Sequence, residues 1–221
     1  MRNSSERETN WALMRRRMVA EQIVMRGVTD QRVLDAMREV PRHKFVPSDV
    51  EEKGYDDTAL PIRAGQTISQ PYIVALMTEV LKIKEDNVVL EVGTGSGYQA
   101  AVLAHLALRV FSVERVPELA SDARERFKKL GVTNVEVHEG DGSLGLPDKA
   151  PFDAILVAAA SPITCEPLLE QLAADGRLIL PIGSRNQQQL QLWTTMTGKR
   201  RRSLLAQVRF VPLVGKWGWE A

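Results

Sequence analysis

From Lys84 onward, short apolar runs alternate with longer amphipathic stretches. Val88, Val89, Leu90 and Val92 form a short apolar run, the pattern of a buried parallel strand at Val88–Glu91, and Arg109–Val113, Val135–His138 and Phe152–Val157 read as the next strands. A segment running to about Leu108 and a second at Pro117–Leu130 read as helices. In the second, Leu119, Ala123, Phe127 and Leu130 recur at helical spacing and Gly131 supplies a C-terminal cap. This alternation predicts βαβ units and an open parallel sheet. A short helix at Glu166–Ala173 and a fifth strand at Arg177–Ile182 continue it. The last stretch departs from it. Gln189–Thr195 and Ala206–Val211 read as two strands joined hairpin-fashion through TMTGKRRRS, with the basic run Lys199–Arg202 in the solvated turn. A glycine-rich tail with Trp217 and Trp219 packs onto the body.

The first third of the chain is patterned for helices. Trp11–Met25 places Trp11, Met14, Met18 and Val19 on one face and Arg15–Arg17 mostly outside, and Gly27 ends it; residues 1–10 form a frayed arm. Thr29 caps a short helix, Asp30–Arg38, which buries Val33, Leu34 and Met37 and stops before Pro41. His43 reads as a packed or surface histidine beside Phe45. Ser48 and Glu51 have capping-box spacing. Residues 53–68 lack periodicity, as functional loops often do. They lead into GQTISQPYIVALMTEVL, where Pro71 starts an apolar helix, Tyr72–Leu81. Local pattern alone favours Ser69 as the N-cap of that helix; the alternative is a hydroxyl facing a ligand, and Thr67 and Gln70 share the ambiguity.

Composition narrows the function classes. Of 221 residues 44% are hydrophobic, and 29 Lys and Arg against 28 Asp and Glu leave a net charge of +1, which favours neither nucleic acid nor an anionic membrane as partner. A single cysteine, Cys165, suits a reducing compartment, and the polar N-terminus lacks the apolar core of a secretory signal, so a cytoplasmic protein is expected. His43, His105, His138 and Cys165 form no metal-ligand spacing, and no Walker lysine follows the glycines. No metal is expected.

The candidate chemistry sits at the strand ends. Gly93, Gly95 and Gly97 follow the first buried strand at GxGxG spacing, so backbone N–H groups and a helix N-terminus point toward a ligand. Glu114 closes the second strand, where an acid can take both hydroxyls of a ribose. Asp141–Gly142 follows the third, where a carboxylate can accept from an adenine amino group. The ribose contact fits a nicotinamide cofactor equally well, but the GxGxxG of that fingerprint is absent.

VPRHKFVP (40–47), LPIRAGQTISQPYIVALMTE (60–79), LEVGTGSGYQAAVLA (90–104), SVERVPELA (112–120), GDGSLG (140–145), AAASP (158–162) and VRFVPLVG (208–215) together resemble the protein-L-isoaspartate O-methyltransferases, a family of class I methyltransferases, over roughly Met18–Val214. GQTISQP is the most specific of these motifs. The resemblance implies an α/β, Rossmann-like, doubly wound and mostly parallel seven-stranded sheet with helices on both faces, an N-terminal helical extension and a rearranged C-terminal strand pair. Residues 1–82 would form the substrate-side extension and 83–221 the cofactor domain, in one compact unit. It implies methyl transfer from S-adenosyl-L-methionine to the α-carboxylate of L-isoaspartyl residues in damaged proteins and peptides. It implies Ser69 as the catalytic residue. Glu91, Gly93, Thr94, Gly95, Gly97, Glu114, Arg115, Asp141 and Gly142 would hold the cofactor. Thr67, Ile68, Ser69, Gln70, Val208, Phe210 and Val211 would hold the substrate. A monomer with no nucleic-acid or membrane partner is expected. The rival readings are another class I methyltransferase acting on a nucleic acid or small molecule, a nicotinamide oxidoreductase, and a non-catalytic protein that keeps the fold.

Overall fold

The computed structural model describes residues 4–196 and 198–220. Helix α1 (Ser4–Arg17) starts earlier than the expected arm allows, and Met1–Asn3 lie outside the described residues. It continues through a π-helical turn (Met18–Ile23) and a 3₁₀ turn (Val24–Arg26) to Gly27, whose left-handed φ of 91° ends it. Helix α2 (Gln31–Glu39) is capped by Asp30, not Thr29: Asp30 Oδ1 accepts from the amides of Arg32 and Val33. The Thr29 amide is taken by Glu79 Oε1 at 2.6 Å, a partner that only tertiary packing supplies. The Ser48–Glu51 capping box is absent. Residues Ser48–Lys53 form 3₁₀ turns without a side-chain cap, and Val50 N–H donates to the Pro47 carbonyl. Strands β1 (Leu60–Pro61) and β2 (Thr67–Ile68) pair antiparallel as a small ribbon. Helix α3 (Pro71–Leu81) follows, with Pro71 in its first turn.

Strand β3 (Val88–Val92), helix α4 (Tyr98–Ala104), β4 (Arg109–Glu114), α5 (Pro117–Leu130), β5 (Val135–Glu139) and β6 (Phe152–Val157) fall where the apolar pattern puts them. Helix α6 is shorter than expected (Glu166–Glu170), because Leu172 already pairs with Phe152 and opens a long strand, β7 (Leu172–Gly183). Strands β8 (Gln188–Met196) and β9 (Lys199–Val208) complete the seven-stranded sheet, ordered β5-β4-β3-β6-β7-β8-β9. Its first five strands run parallel, and the last three form an antiparallel meander. The sequence therefore reads the fold class and the existence of an antiparallel C-terminal pair. The second strand of that pair, expected at Ala206–Val211, lies at Lys199–Val208, because the short turn after Met196 lets pairing with β8 start at once. The basic run Lys199–Arg202 is not in the turn. Lys199 pairs with Met196, so these side chains line an exposed edge strand, where charge discourages further strand addition.

The sheet is buried on both faces. Val89, Val110, Ala154, Leu156 and Ile179 join one cluster with the N-terminal helices, α3 and α4. Leu90, Val92, Phe111, Ile155, Leu178 and Leu180 form the other with α6 and the tail around Trp217. The first cluster is continuous from Trp11 to Leu190, so the N-terminal segment shares its core with one face of the sheet. It delivers the loop before α3 to the C-terminal ends of the parallel strands, where ligands bind in open sheets.

Candidate active site

The glycine turn is built by the crossover from β3 to α4. Gly97 has φ +84°, and a Cβ there would sit 2.8 Å from the Phe127 ring, so only glycine lets α4 start against α5. Gly142, on the far wall, touches Val92 so closely that a Cβ would fall 2.5 Å from its methyl. Between these walls lies a cleft of about 850 Å³, open solvent at its mouth included. Gly93, Thr94, Gly95, Glu114, Arg115 and Gly142 line it from the sheet, and Thr67, Ile68, Ser69 and Val211 line it from the opposite side. The glycine turn and the loop that carries Ser69 thus face one another.

Glu114 is 7% exposed at the end of β4. Its Oε2 accepts from the Gly95 amide at 2.8 Å and its Oε1 from the Val116 amide at 2.9 Å. Each oxygen keeps lone-pair capacity for one hydroxyl of a diol, and the carboxylate cannot swing away. That geometry fits a ribose. The glycine turn, whose Gly93 amide donates to the Val113 carbonyl at 2.8 Å, and the Gly142 cradle wall the rest of the cleft.

Three residues expected at the cofactor sit elsewhere. Gly97 lies behind the turn, packed on Phe127. Glu91 is fully buried inside the sheet and does not line the cleft. Ser112 Oγ donates to Glu91 Oε2, and Thr94 Oγ1 lies 2.5 Å from Ser112 Oγ, so Glu91 reaches the cleft wall only through two hydroxyls. Burial, seconded by the charge of Glu114 and opposed by the Ser112 bond, raises the Glu91 carboxyl to about 8, so it is mostly neutral at pH 7. Asp141 also stays off the cleft wall. Its Oδ1 accepts from the Ser143 amide and hydroxyl at 2.9 and 2.7 Å, and its Oδ2 accepts from the Lys216 amide at 2.7 Å. The C-terminal tail is fastened there, with the Trp217 amide donating to Ser143 Oγ at 3.0 Å and Ser161 Oγ donating to the Trp217 carbonyl at 3.0 Å. Cys165, buried, adds a thiol contact to that carbonyl at 3.4 Å.

The remaining substrate-side residues line an adjoining groove. Gln70, Val208 and Phe210 form it with Asp57 and Arg209, and it shares Thr67, Ser69 and Ala158 with the cleft. Ser69 stands where the two meet. It is not a helix cap: Gln70 holds the N-cap position of α3 and makes no side-chain cap bond. The Ser69 hydroxyl bonds to no other group among the described residues, which leaves it available to a ligand. Gln70 is occupied, its Nε2 donating to the Asp57 carbonyl at 2.9 Å.

Sequence reading passed over Arg42. It is 0% exposed and donates to the Gly54 carbonyl and to the Ser69 carbonyl, both at 2.8 Å. The available signal was an arginine set between Pro41 and Phe45 in an otherwise core-forming stretch. Next to it His43 is buried, stacked on Trp11 at 4.7 Å between ring centroids, with Nδ1 2.7 Å from the Tyr55 hydroxyl. It is a packed histidine. Among the described residues no group of three or more His, Cys, Asp or Glu could hold a metal, and no helix is long and apolar enough to cross a membrane.

Comparison with known proteins bears on the family and the fold. Residues 14–218 match the family model described as protein-L-isoaspartate(D-aspartate) O-methyltransferase. Protein-L-isoaspartate O-methyltransferase 1 of Syntrophobacter fumaroxidans is 55% identical over 211 residues, 96% of this chain and 99% of that relative. Protein-L-isoaspartate O-methyltransferase of Methanoculleus marisnigri is 53% identical over 206 residues, 93% and 94% of the two chains. Among solved structures, a protein-L-isoaspartate O-methyltransferase superposes with a TM-score of 0.82 at 30% identity, covering 92% of this chain and 67% of the other. A Plasmodium falciparum member, solved in complex with S-adenosyl-L-homocysteine, superposes with a TM-score of 0.79 at 28% identity, covering 90% and 98%. The chain belongs to the protein-L-isoaspartate(D-aspartate) O-methyltransferase family.

Proposed function

We propose that the cleft and groove divide the work of one reaction, the transfer of a methyl group from S-adenosyl-L-methionine to the α-carboxylate of an L-isoaspartyl residue in a damaged protein or peptide. The observation that carries this division is the position of Ser69, on the wall shared by the two cavities. When bound, S-adenosylmethionine supplies an electrophilic sulfonium methyl. Glu114 and the walls of the Gly93–Gly95 turn hold the nucleoside side. Thr67, Ser69, Val208 and Phe210 hold the peptide, with residues 1–82 supplying one lip of the groove and the sheet domain the other. The substrate's carboxylate is ionised near neutral pH, so the site needs no strong general base. The Ser69 hydroxyl donates a hydrogen bond that orients the carboxylate, and the shared wall brings acceptor and donor together. Rate then comes mainly from proximity and alignment. Esterification primes ring closure to a succinimide, which reopens in part to a normal aspartyl residue.

Labelled methyl transfer to paired peptides, one isoaspartyl and one normal aspartyl, tests the reading. The expected result is incorporation into the isoaspartyl peptide alone. Equal labelling of both, or labelling of neither alongside a methylated nucleic acid or small molecule, overturns it.

A further inference from the structure

A guanidinium with no exposed surface is costly unless something compensates for it. Arg42 has no carboxylate within ion-pair distance among the described residues. Its partners are two main-chain carbonyls, Gly54 and Ser69, and the Tyr98 ring, 4.8 Å from the guanidinium carbon. Nη1 finds no hydrogen-bond acceptor. Asp57, a carboxylate that acts on its charge from a distance, is itself paired with Arg26 at 2.9 Å. Burial lowers the Arg42 pKa to about 10, so the side chain remains a cation at neutral pH. Its contacts connect three parts of the site. Gly54 opens the irregular loop, Ser69 stands at the shared wall, and Tyr98 both begins α4 and lines the cleft.

The geometry points to Arg42 as a positioning residue for methyl transfer: its rigid fork fixes the Ser69 main chain against the cofactor turn, and its uncompensated charge favours the substrate's carboxylate there. The inference rests on the proposed role of Ser69. It explains why a buried cation is kept without an acid beside it. A carboxylate paired directly with Arg42 would cancel its field, whereas Asp57, on the groove wall, is held by Arg26. Lysine has no planar fork to bridge two carbonyls that face different ways.

The test compares the full-length parent with Arg42→Lys and Arg42→Gln. Each is measured for thermal melting, calorimetric binding of S-adenosylhomocysteine, and steady-state kinetics on an isoaspartyl peptide. Competition by the same peptide carrying a neutral α-carboxamide completes the set. Both variants are expected to bind S-adenosylhomocysteine within about threefold of the parent and to lose about 10–100-fold in kcat/KM. The preference for carboxylate over carboxamide peptide should shrink about tenfold in Arg42→Gln and persist in Arg42→Lys. A merely structural role would weaken both peptides and the cofactor product together, and that result overturns the proposal. Where Arg42→Gln does not fold, Arg42→Lys decides: a kcat/KM within about threefold of the parent overturns it, and a larger loss with product binding kept supports it. Ser69→Ala run alongside separates the two ideas. Full turnover in Ser69→Ala with impaired Arg42 variants removes the hydroxyl's role and leaves the loop's placement standing. The converse removes Arg42 alone.

Discussion

The glycine turn after β3 and the loop that ends at Ser69 face each other across one cleft but are held by different means. The turn is secured by neighbours in its own βαβ unit. Its Gly95 amide bonds to Glu114 and its Gly93 amide to the Val113 carbonyl, both from the adjacent strand, and Gly97 packs on the helix that follows that strand. The Ser69 loop has a two-residue strand pair and little else of its own. It is fastened from outside by Arg42 on the Ser69 carbonyl and by the Gln70 bond to the Asp57 carbonyl. A site half is robust where local geometry defines it, and adjustable where a few long side chains do. For a methyltransferase of this family that suits the task. The cofactor is one molecule of fixed shape, whereas damaged peptides differ in everything but the isoaspartyl group.

Substitutions on each side sharpen the contrast. The largest effect is expected at Ser69→Asp, which should fold and bind cofactor product normally yet lose about 100-fold or more in turnover. A second carboxylate at that spot repels the substrate's own. Ser69→Ala should fall between it and the parent. Initial rates and melting curves for the pair check this, and a parent-like rate in Ser69→Asp would move the catalytic role to Thr67 or the backbone. On the cofactor side, Gly97→Ala should destabilise the whole fold by about 2–4 kcal/mol, through its left-handed φ and the collision with Phe127. Chemical denaturation measures it, and a loss confined to the cleft would show the turn to be less coupled to α5 than the packing indicates. Glu114→Gln should weaken product binding by about 1.5–3 kcal/mol with the fold intact. An unchanged dissociation constant would remove the ribose assignment.

Two smaller effects concern pH. Burial, aided by Lys44, Arg15 and Arg7, holds His43 down from 6.5 to about 4. As pH falls below 6.5 the unfolded chain takes up a proton that the folded chain refuses until about 4, so stability is lost through that window and unaffected above it. The loss should reach on the order of 3 kcal/mol, and His43→Phe should flatten it in melting curves at pH 7 and 4.5. Glu91 behaves oppositely. Its folded value, raised from 4.5 to about 8, makes the folded chain hold a proton the unfolded chain has released, so stability declines as pH rises through that window. Glu91→Gln should remove this slope while changing product affinity by less than about threefold, because the carboxyl faces Ser112 and not the cleft. A tenfold loss of affinity would restore Glu91 to the cofactor's immediate surroundings.

Much of this site was legible from the chain alone, for a local reason. GxGxG, Glu114 and Gly142 each follow an apolar strand, and the ends of parallel strands converge whatever else the protein does. Asp141 follows the same rule, yet its carboxylate is turned to Ser143 and Lys216, because the tail after Leu213 folds back across it. Ser69 shows the opposite failure. A serine just before a proline-led helix reads as a cap, but the helix begins one residue later and the hydroxyl is left to the cleft. Arg42 carried almost no signal, since nothing nearby in sequence shows that an arginine will be buried on carbonyls 12 and 27 residues away.

The sequence by itself determined the parallel strands β3 to β6, the glycine turn and the acid beside it, because hydrophobic period and glycine's conformational freedom act over a few residues. Only the tertiary structure decided which acids face the cleft, which residue caps α2, where the basic run of β9 lies and what holds Ser69. Each of those depends on a competition between partners far apart in the chain, and it is settled by whichever buried polar group most needs a hydrogen bond once the core has closed.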